Sequence, residues 1–258
     1  RSGSVTGVQT CALPICSRGG PRVFALAGVS LELQAAQSLG IVGESGCGKT
    51  TLARAILGLV PASGAEICWR GRRLDGLTRV QARAARREMQ IVFQNPFASL
   101  NPRMRTGASI AEPLEYGDAD LSTAEIHRRV EQVASRVGLD PHLLTRYPHE
   151  LSGGQCQRVA IARAIVANPR VLICDEALSA LDVTIQAQIV QLLRELRDEL
   201  RLSLLFITHS PGIVRALCTH VLVMQSGRVV EQGAVKQLLE SPAGSRSEER
   251  RVGKECRS

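Results

Sequence analysis

The stretch Gly43-Glu44-Ser45-Gly46-Cys47-Gly48-Lys49-Thr50 gives the strongest indication of a fold in this sequence. It has the pattern G-x-x-x-x-G-K-T, in which backbone N–H groups surround a phosphate. Glycines let the backbone approach the anion closely because they carry no Cβ. Lys49 adds a mobile charge for the β- and γ-phosphates, and the Thr50 hydroxyl can ligate Mg²⁺. The pattern therefore predicts a nucleotide-phosphate site, and the alternative is a chance glycine-rich turn.

The residues on both sides of this loop favour the phosphate site. Residues 38–42 form an apolar run that predicts a buried strand. Residues 51–59 have helical spacing, with Leu52, Ala55 and Ile56 on one face, and Pro61 ends the pattern. A strand, a glycine loop and a helix together aim backbone N–H groups and a helix N-terminus at an anion. We therefore expect an α/β fold with a mostly parallel sheet around this loop.

Both ends of the chain resemble translated high-throughput sequencing adapters. Residues 12–15 can be encoded by GCTCTTCCGATC followed by T, and the reverse complement of that string encodes Arg-Ser-Glu-Glu, the sequence of residues 246–249. We therefore expect residues 1–16 and 246–258 to be non-native and leave them out of functional reasoning. The natural gene is then expected to extend beyond both ends of the segment between them.

Composition argues against several classes of protein. Arg1 contributes one positive charge and residues 246–258 a net two, so about +5 of the formal charge of +8 belongs to the segment between the ends. This excess is too weak to predict nucleic-acid binding. Cys11 and Cys256 lie in the adapter-like ends, and the other cysteines form no C-x-x-C pair, so neither a zinc site nor a disulfide framework is indicated. No apolar run reaches the length of a membrane span.

A second buried strand is predicted to end in an acidic pair. Residues 171–174 are apolar and are followed by Asp175 and Glu176. An acid at the end of a strand beside the phosphate loop can hold Mg²⁺ through water. The neighbouring Glu176 can act as general base toward the attacking water. The alternative is that the pair only caps a helix.

Two other predicted strands end in polar side chains. Gln94 follows the apolar residues 91–93 and precedes a loop, so it can reach a metal or water near the phosphates and move with that loop. His209 follows the predicted strand at residues 204–208. Because ligands bind at the carboxyl ends of parallel strands, His209 is expected on the ligand edge of the sheet.

The turn Leu151-Ser152-Gly153-Gly154-Gln155 precedes a helix that is predicted to end near residue 168. A glycine-bearing turn at a helix N-terminus offers a second anion site. One nucleotide does not need two such loops from the same chain. The pattern therefore predicts two chains that share two nucleotides.

Residues 103–165 are predicted to form a helical subdomain inserted in an α/β core made of residues 17–102 and 166–245. Ser122-Thr123-Ala124-Glu125 has the capping-box pattern, and apolar residues at helical spacing follow it. The three histidines of this segment, at positions 127, 142 and 149, have no metal-ligand spacing. Positions at the protein surface or at helix caps explain these histidines better than a metal site does.

The motifs of this chain, taken together, resemble those of the ATPase subunit of an ABC transporter. The family's motifs occur in order: the phosphate loop at residues 43–50, the Gln94 loop, LSGGQ at 151–155, the acidic pair at 175–176, SALD at 179–182, and His209. They span essentially the whole segment between the adapter-like ends. LSGGQ is the most selective of them, because other phosphate-loop ATPases lack it. Residues 93–102, 147–150 and 181–188 resemble the oligopeptide/dipeptide importer branch.

The resemblance implies a P-loop NTPase core with an antiparallel β part and a helical subdomain, and it implies roles for residues. ATP and Mg²⁺ would bind between residues 43–51 of one chain, including Thr51, and Ser152, Gly153, Gly154 and Gln155 of a second. Glu176 would be the general base and His209 would contact the γ-phosphate. Lys49, Thr50, Gln94 and Asp175 would serve phosphate and metal, and Asp182 would work across the dimer.

The resemblance also implies partners and a place in the cell. These are a second ABC ATPase, the same chain or a related one, transmembrane permease subunits, and indirectly a substrate-binding protein, but no nucleic acid. The protein would be a translocase ATPase, peripheral on the cytoplasmic face of a bacterial or archaeal plasma membrane. Cargo is expected to be di- or oligopeptides. Importers of nickel or glutathione, a soluble ABC ATPase of DNA repair or translation, and a fragment without partners remain alternatives.

The chain departs from the family pattern at three places and leaves one residue unassigned. Ala177-Leu178 stands where Pro-Thr or Pro-Val is common, Cys156 replaces a common Arg, and Ser210 replaces a common Asp. We expect little effect from the first, and we expect the other two to change the surroundings of LSGGQ and of His209. The family's adenine-stacking aromatic residue would fall about where the adapter-like end begins, so none is assigned.

Overall fold

The computed structural model describes residues 4–15, 23–60, 65–74, 76–116 and 121–239. Its strands are β1 (Ser4–Ile15), β2 (Val23–Gln34), β3 (Ser38–Gly43), β4 (Glu66–Trp69), β5 (Arg72–Arg73), β6 (Met89–Val92), β7 (Val171–Asp175), β8 (Ser203–Ile207), β9 (His220–Gln225) and β10 (Arg228–Ala234). Its helices are α1 (Lys49–Ile56), α2 (Arg79–Glu88), α3 (Pro96–Ser99), α4 (Thr106–Glu115), α5 (Thr123–Arg136), α6 (Gly153–Ile165), α7 (Val183–Leu200), α8 (Pro211–Leu217) and α9 (Val235–Leu239). Two short 3₁₀ helices lie at Pro141–Thr145 and Pro148–Glu150.

The main sheet has six strands in the order β10-β9-β3-β8-β7-β6. β3 pairs in parallel with β8 and β9, and β7 pairs in parallel with β6 and β8, whereas β10 is antiparallel to β9. Ile207 of β8 pairs with Ile41 of β3 on one side and with Asp175 of β7 on the other. The carboxyl ends of these three strands therefore meet at one edge, as the predicted α/β class requires.

A second, antiparallel sheet has the order β2-β1-β4-β5. β1 lies between β2 and β4, and its backbone pairs Ser4 with Gln34 and Thr6 with Trp69. This strand covers residues that the sequence predicts to be adapter-derived, and their origin stays a prediction. Residues 246–258, for which the same origin is predicted, lie outside the described residues. The sheet supplies the predicted antiparallel part of the fold.

Both faces of the main sheet are covered by apolar side chains. Leu205 and Ile207 of β8 belong to the buried cluster formed with β2 and α1. Leu204 and Phe206 of the same strand belong to the cluster formed with the helices on the other face. This alternation follows from the two-residue period of a strand, and it explains why the central strands are apolar throughout.

The predicted helical segment between β6 and β7 contains α4, α5, α6 and the two 3₁₀ helices. Ile110 and Leu114 of α4, Val133 of α5 and Ile161 of α6 are buried in one cluster. The limits 103–165 proposed for a helical subdomain stay a prediction. Among the described residues, no helix combines the length and apolarity needed to cross a membrane.

The predicted capping box of α5 is only half formed. The Ser122 hydroxyl accepts a hydrogen bond from the Glu125 backbone N–H at 3.2 Å. The Glu125 carboxylate instead accepts from the guanidinium groups of Arg128 and Arg129 at 2.8–3.0 Å. These arginines lower the pKa of Glu125. They lie three and four residues further on and compete with the Ser122 N–H for the same carboxylate.

Replacing Ser122 by Ala is expected to lower the free energy of unfolding by about 1 kcal/mol, because the first turn of α5 loses its side-chain acceptor. Urea denaturation followed by circular dichroism measures this change. Thr123→Ala, at the neighbouring exposed position, is the matched control and should change stability by less than about 0.5 kcal/mol. Equal effects of the two substitutions would contradict the capping role.

Helix limits differ from the sequence expectation at two places near the predicted site. α1 begins at Lys49 rather than at residue 51, because Gly48 takes a left-handed φ of 103° and acts as N-cap, and it ends at Ile56 rather than 59. α7 begins at Val183 rather than at residue 185, because the Asp182 carboxylate accepts from the Ile185 N–H at 3.0 Å. Both shifts bring helix N-termini closer to the ligand edge of the sheet.

Candidate nucleotide site

The phosphate loop joins β3 to α1 and is held tightly at its first glycine. A Cβ at Gly43 would lie 2.2 Å from the Met224 carbonyl oxygen and 2.8 Å from the Cys47 sulfur, so no other residue fits without a backbone shift. Gly46, with φ of 78°, faces open space. The Cys47 carbonyl accepts a hydrogen bond from the Gly227 N–H at 3.0 Å, which fastens the loop to the β9–β10 turn. The loop is thus anchored at its base and open toward solvent.

Lys49 places its positive charge inside this loop. Its Nζ donates to the carbonyl oxygens of Gly43 at 2.8 Å and Glu44 at 2.7 Å, and the residue is only 4% exposed. A buried ammonium group of this kind is stabilised by acceptors that a phosphate oxygen can replace. The arrangement suits an anion that enters the loop from the open side at Gly46.

Thr50 and Asp175 form the contact that joins the two ends of the predicted site. The Thr50 hydroxyl donates to Asp175 Oδ1 at 3.0 Å across 125 residues of sequence. Burial raises the pKa of the Asp175 carboxyl, and the nearby charge of Glu176 raises it further, while the Thr50 hydrogen bond, Arg54 and Lys49 lower it. A cation bound here would favour the ionised carboxylate in the same way.

The hydroxyl oxygen of Thr50 and the carboxylate oxygens of Asp175 fit Mg²⁺ better than a transition metal. The described residues contain no group of three or more His, Cys, Asp or Glu side chains that could enclose a metal ion. Mg²⁺ keeps several waters and is usually bound by one or two carboxylates together with substrate phosphates. A single hydroxyl–carboxylate pair beside a phosphate loop meets that requirement.

Glu176 has an uncommon backbone conformation at the end of β7. Its φ is 49°, in the left-handed region that non-glycine residues seldom occupy. Its N–H donates to the Ile207 carbonyl at 2.9 Å, which ties it to the end of β8. His209, two residues beyond Ile207, is exposed. Both predicted residues therefore lie at the edge where the phosphate loop begins.

Gln94 lies in the loop after β6 and is linked to the turn after Glu176. Val92 of β6 pairs with Cys174 of β7, so the chain that follows each strand emerges at the same edge. The Gln94 Nε2 donates to the Ser179 hydroxyl at 3.3 Å. Ser179 was not among the predicted site residues, because only the three-dimensional structure shows this contact between residues 85 positions apart.

The Ser152–Gln155 turn forms a complete capping box at the start of α6. The Ser152 hydroxyl accepts from the Gln155 N–H at 3.2 Å, and Gln155 Oε1 accepts from the Ser152 N–H at 2.9 Å. The turn packs on the start of α7, because a Cβ at Gly154 would lie 2.9 Å from Ile185 Cγ2. It therefore lies beside Asp182, whose carboxylate caps α7.

The predicted site residues thus fall into two groups in one chain. The first contains the phosphate loop, Gln94, Asp175, Glu176 and His209, and the second contains the Ser152–Gln155 turn and Asp182. In the described part of the chain, no hydrogen bond joins the second group to the phosphate loop. The shared site predicted from the sequence stays a prediction.

The residues that depart from the family pattern are either buried or hydrogen-bonded to neighbouring residues. Ala177 and Leu178 are 2% and 1% exposed, so apolar packing holds the turn at this point. The Cys156 thiol donates to the Pro148 carbonyl at 3.4 Å, and burial raises its pKa to about 11. Ser210 is the N-cap residue of α8, but its side chain makes no capping hydrogen bond, and its N–H donates to the Thr208 hydroxyl at 3.0 Å.

Comparison with known proteins identifies the family. A family model described as ABC transporter matches residues 26–179, which is more than half of the chain. The chain belongs to the ABC transporter family. The match covers both the phosphate loop at residues 43–50 and the acidic pair at residues 175–176 of this ABC protein.

Individual relatives and solved structures agree with this assignment. The oligopeptide transport ATP-binding protein OppF of Haemophilus influenzae is 52% identical over 206 residues, which cover 80% of this chain and 62% of OppF. The glutathione import ATP-binding protein GsiA of Pectobacterium atrosepticum is 46% identical over 221 residues, which cover 86% of this chain and 35% of GsiA. This ABC protein thus spans less than two thirds of the length of either relative.

A solved structure described as the dimeric, post-hydrolysis state of the ATP-binding cassette MJ0796 bound to ADP and Pi has a TM-score of 0.81 at 26% identity. The match covers 89% of this chain and 98% of MJ0796. The P-loop core with a mostly parallel sheet, an antiparallel sheet and added helices, which the sequence predicted, is therefore confirmed as the fold of this ABC protein.

Proposed function

We propose that this ABC protein binds and hydrolyses ATP and supplies the energy of a membrane importer of di- or oligopeptides. The observation that carries the ATPase proposal is the 3.0 Å contact between Thr50 of the phosphate loop and Asp175 of β7. It unites an anion-binding loop and a carboxylate at one sheet edge, with Glu176 next in the chain.

Each residue of the first group has a distinct role in this proposal. Backbone N–H groups of residues 43–50 surround the β- and γ-phosphates, and Lys49 exchanges its carbonyl partners for phosphate oxygens. Glu176 accepts a proton from the attacking water, and His209 contacts the γ-phosphate. Thr51 adds a hydroxyl at the start of α1.

Mg²⁺ is the metal that these residues fit, and Thr50, Gln94 and Asp175 are the residues that would hold it. When bound, the ion neutralises charge that develops on the phosphate oxygens. Asp175 supplies a partly desolvated carboxylate with a raised pKa, whose ionised form the ion stabilises.

The second group of residues is proposed to act on the nucleotide of a partner. Ser152, Gly153, Gly154 and Gln155 present the N-terminus of α6, and the Ser152 hydroxyl keeps its hydrogen free because it acts only as acceptor in the capping box. Two copies arranged head to tail would complete two sites, with Asp182 between them. The similar cassette MJ0796 is described as dimeric in its solved structure. A related second ATPase is the other candidate partner.

The importer part of the proposal is supported by similarity to OppF and by an exposed aromatic residue in the loop region of Gln94. Phe97 of α3, three residues after Gln94, is 45% exposed. A permease helix bound there would sense movement of the Gln94 loop. We propose that the protein lies on the cytoplasmic face of a bacterial or archaeal plasma membrane, with a substrate-binding protein as an indirect partner.

Glutathione is the cargo alternative with a specific observation in its favour, the 46% identity to GsiA. The proposed site contacts nucleotide and not cargo, so its residues do not separate the two. Cargo is tested by assembling the chain in vesicles with the permease pair of an oligopeptide importer and, separately, with the permease pair of a glutathione importer. ATP-driven uptake of labelled tripeptide by the first assembly is expected. ATP-driven uptake by the second assembly and not by the first would exclude peptide cargo.

Phosphate release from ATP by the purified chain tests the ATPase proposal. Release is expected with Mg²⁺ and not with EDTA, because the hydroxyl–carboxylate pair has no role without the ion. Co-elution with detergent-solubilised permease subunits tests the transport proposal. Failure to bind ATP at millimolar concentration would contradict the first, and binding to nucleic acid instead of permease would contradict the second.

A further inference from the structure

Ser179 connects the two sequence-predicted residues Gln94 and Glu176. Its hydroxyl oxygen accepts a hydrogen bond from Gln94 Nε2 at 3.3 Å and donates its hydrogen to the Glu176 carbonyl oxygen at 2.9 Å. We infer that Ser179 is a positioning residue that fixes the orientation of the Gln94 side-chain amide, so that the amide oxygen is presented for metal binding. The inference rests on the proposed function, because it concerns the metal that accompanies ATP.

The direction of these bonds follows from the chemistry of a hydroxyl group. A serine hydroxyl carries one hydrogen, and a carbonyl oxygen can only accept. The Ser179 hydrogen is therefore committed to Glu176, and toward Gln94 the oxygen can only accept. The Gln94 amide must turn its NH₂ to Ser179, because the opposite orientation would place two acceptors face to face. This leaves Gln94 Oε1 without a role in the link.

A free amide oxygen at this position is suited to a divalent cation or its bound water. Amide and carboxylate oxygens are the ligands that Mg²⁺ accepts. Gln94 follows β6, whose Val92 pairs with Cys174, the residue before Asp175. Residues that hydrogen-bond to a metal ligand and fix its orientation commonly change metal affinity by about 10–100-fold when they are replaced. Ser179 has the geometry of such a residue.

The turn that carries Ser179 is itself held by several hydrogen bonds and by burial of Leu178. The Ser179 N–H donates to the Glu176 carbonyl at 3.0 Å. Gln186 of α7 donates from Nε2 to the carbonyl oxygens of Leu178 at 3.0 Å and Leu181 at 2.9 Å. Leu178 is 1% exposed. The hydroxyl is therefore supported by a rigid backbone, so that it can hold Gln94 in one orientation.

Hydrogen exchange of the nucleotide-free chain tests whether the link exists. Ser179→Ala should speed exchange in the peptide that covers residues 93–101 by about fivefold, the factor that one net hydrogen bond of ordinary strength gives. Ser179→Thr, which keeps the hydroxyl, should exchange like the wild type. Ser135→Ala, an exposed serine of α5, is the matched control. Unchanged exchange in Ser179→Ala would overturn the inference whether or not the protein binds ATP.

Nucleotide binding tests whether the link orients a metal ligand. The readout is the ratio of AMP-PNP affinity with Mg²⁺ to that with EDTA, measured by equilibrium titration. Ser179→Ala should reduce this ratio by about tenfold, change the EDTA affinity less than about twofold, and be rescued by Ser179→Thr. In a Gln94→Ala background it should have no further effect, since the two residues act as a unit.

The outcomes separate this inference from the proposed function. A wild type that binds no AMP-PNP contradicts the proposed function, and the exchange experiment then decides the link alone. Faster exchange with an unchanged Mg²⁺ ratio means that Ser179 holds the loop but does not orient a metal ligand, which overturns the inference. Equal losses with Mg²⁺ and with EDTA overturn it as well, because they indicate a general disturbance of the site.

Discussion

Replacing Glu176 by Gln is expected to lower the rate of ATP hydrolysis by about 10²–10⁴-fold, the contribution usual for a positioned general base. The amide keeps the size of the side chain but cannot take a proton from water. Glu176 lies directly after Asp175, and its N–H is fixed to Ile207. The phosphate loop and the Thr50–Asp175 contact are unchanged by this substitution, so ATP affinity should stay within about threefold. Phosphate release and equilibrium binding measure the two quantities.

Glu131→Gln is the matched control for this prediction. Glu131 is exposed on α5, outside both groups of site residues. Its replacement makes the same change in net charge and should leave the rate unaltered. If Glu176→Gln hydrolyses ATP as fast as the control, another residue is the base and the assignment of Glu176 is wrong.

Replacing Lys49 by Ala is expected to weaken ATP affinity by about 100-fold. Hydrogen bonds to charged groups contribute about 1.5–3 kcal/mol each, and 1.4 kcal/mol corresponds to a factor of ten. The lysine is 4% exposed and its amine bonds only within the loop, so its charge is already aimed at the anion position. Hydrolysis should fall below detection at ATP concentrations that saturate the wild type.

Lys236→Ala is the control, because Lys236 is exposed on α9. Thermal unfolding should accompany the titrations, since Lys49→Ala also leaves the Gly43 and Glu44 carbonyls without their partner. A folded Lys49→Ala protein with wild-type ATP affinity would show that the phosphate does not enter this loop. Weak binding together with a lost fold would require the comparison to be repeated with Lys49→Arg, which keeps a charge.

Local chemistry explains why so much of the first group was predictable from sequence. The strand, loop and helix at residues 38–59 form a continuous segment, and each glycine has its own backbone requirement. Apolar runs ending in Asp175 and His209 likewise mark strands that end at the ligand edge. The start of α1 at Lys49 lies two residues before the predicted start at residue 51, because Gly48 caps the helix with a left-handed φ of 103°.

Contacts between distant residues explain what the sequence did not predict. The strand order β10-β9-β3-β8-β7-β6 depends on pairings that no local pattern encodes. The Gln94–Ser179 bond joins residues 85 positions apart. The capping box at Ser152 and Gln155 has the S-x-x-Q pattern, yet it was missed because the same residues were assigned to the nucleotide. The Glu125 half of the α5 box failed because two arginines compete for the carboxylate.

Light scattering of Glu176→Gln with and without ATP tests whether two chains share two nucleotides. Without hydrolysis, a dimer is expected with ATP and a monomer without it. Ser152→Arg, which puts a bulky cation in the second group, should prevent the dimer, whereas Ser122→Arg, the same change at the N-cap of α5, should not. A monomer with ATP bound to Glu176→Gln, or a dimer that Ser152→Arg leaves intact, would contradict the shared site.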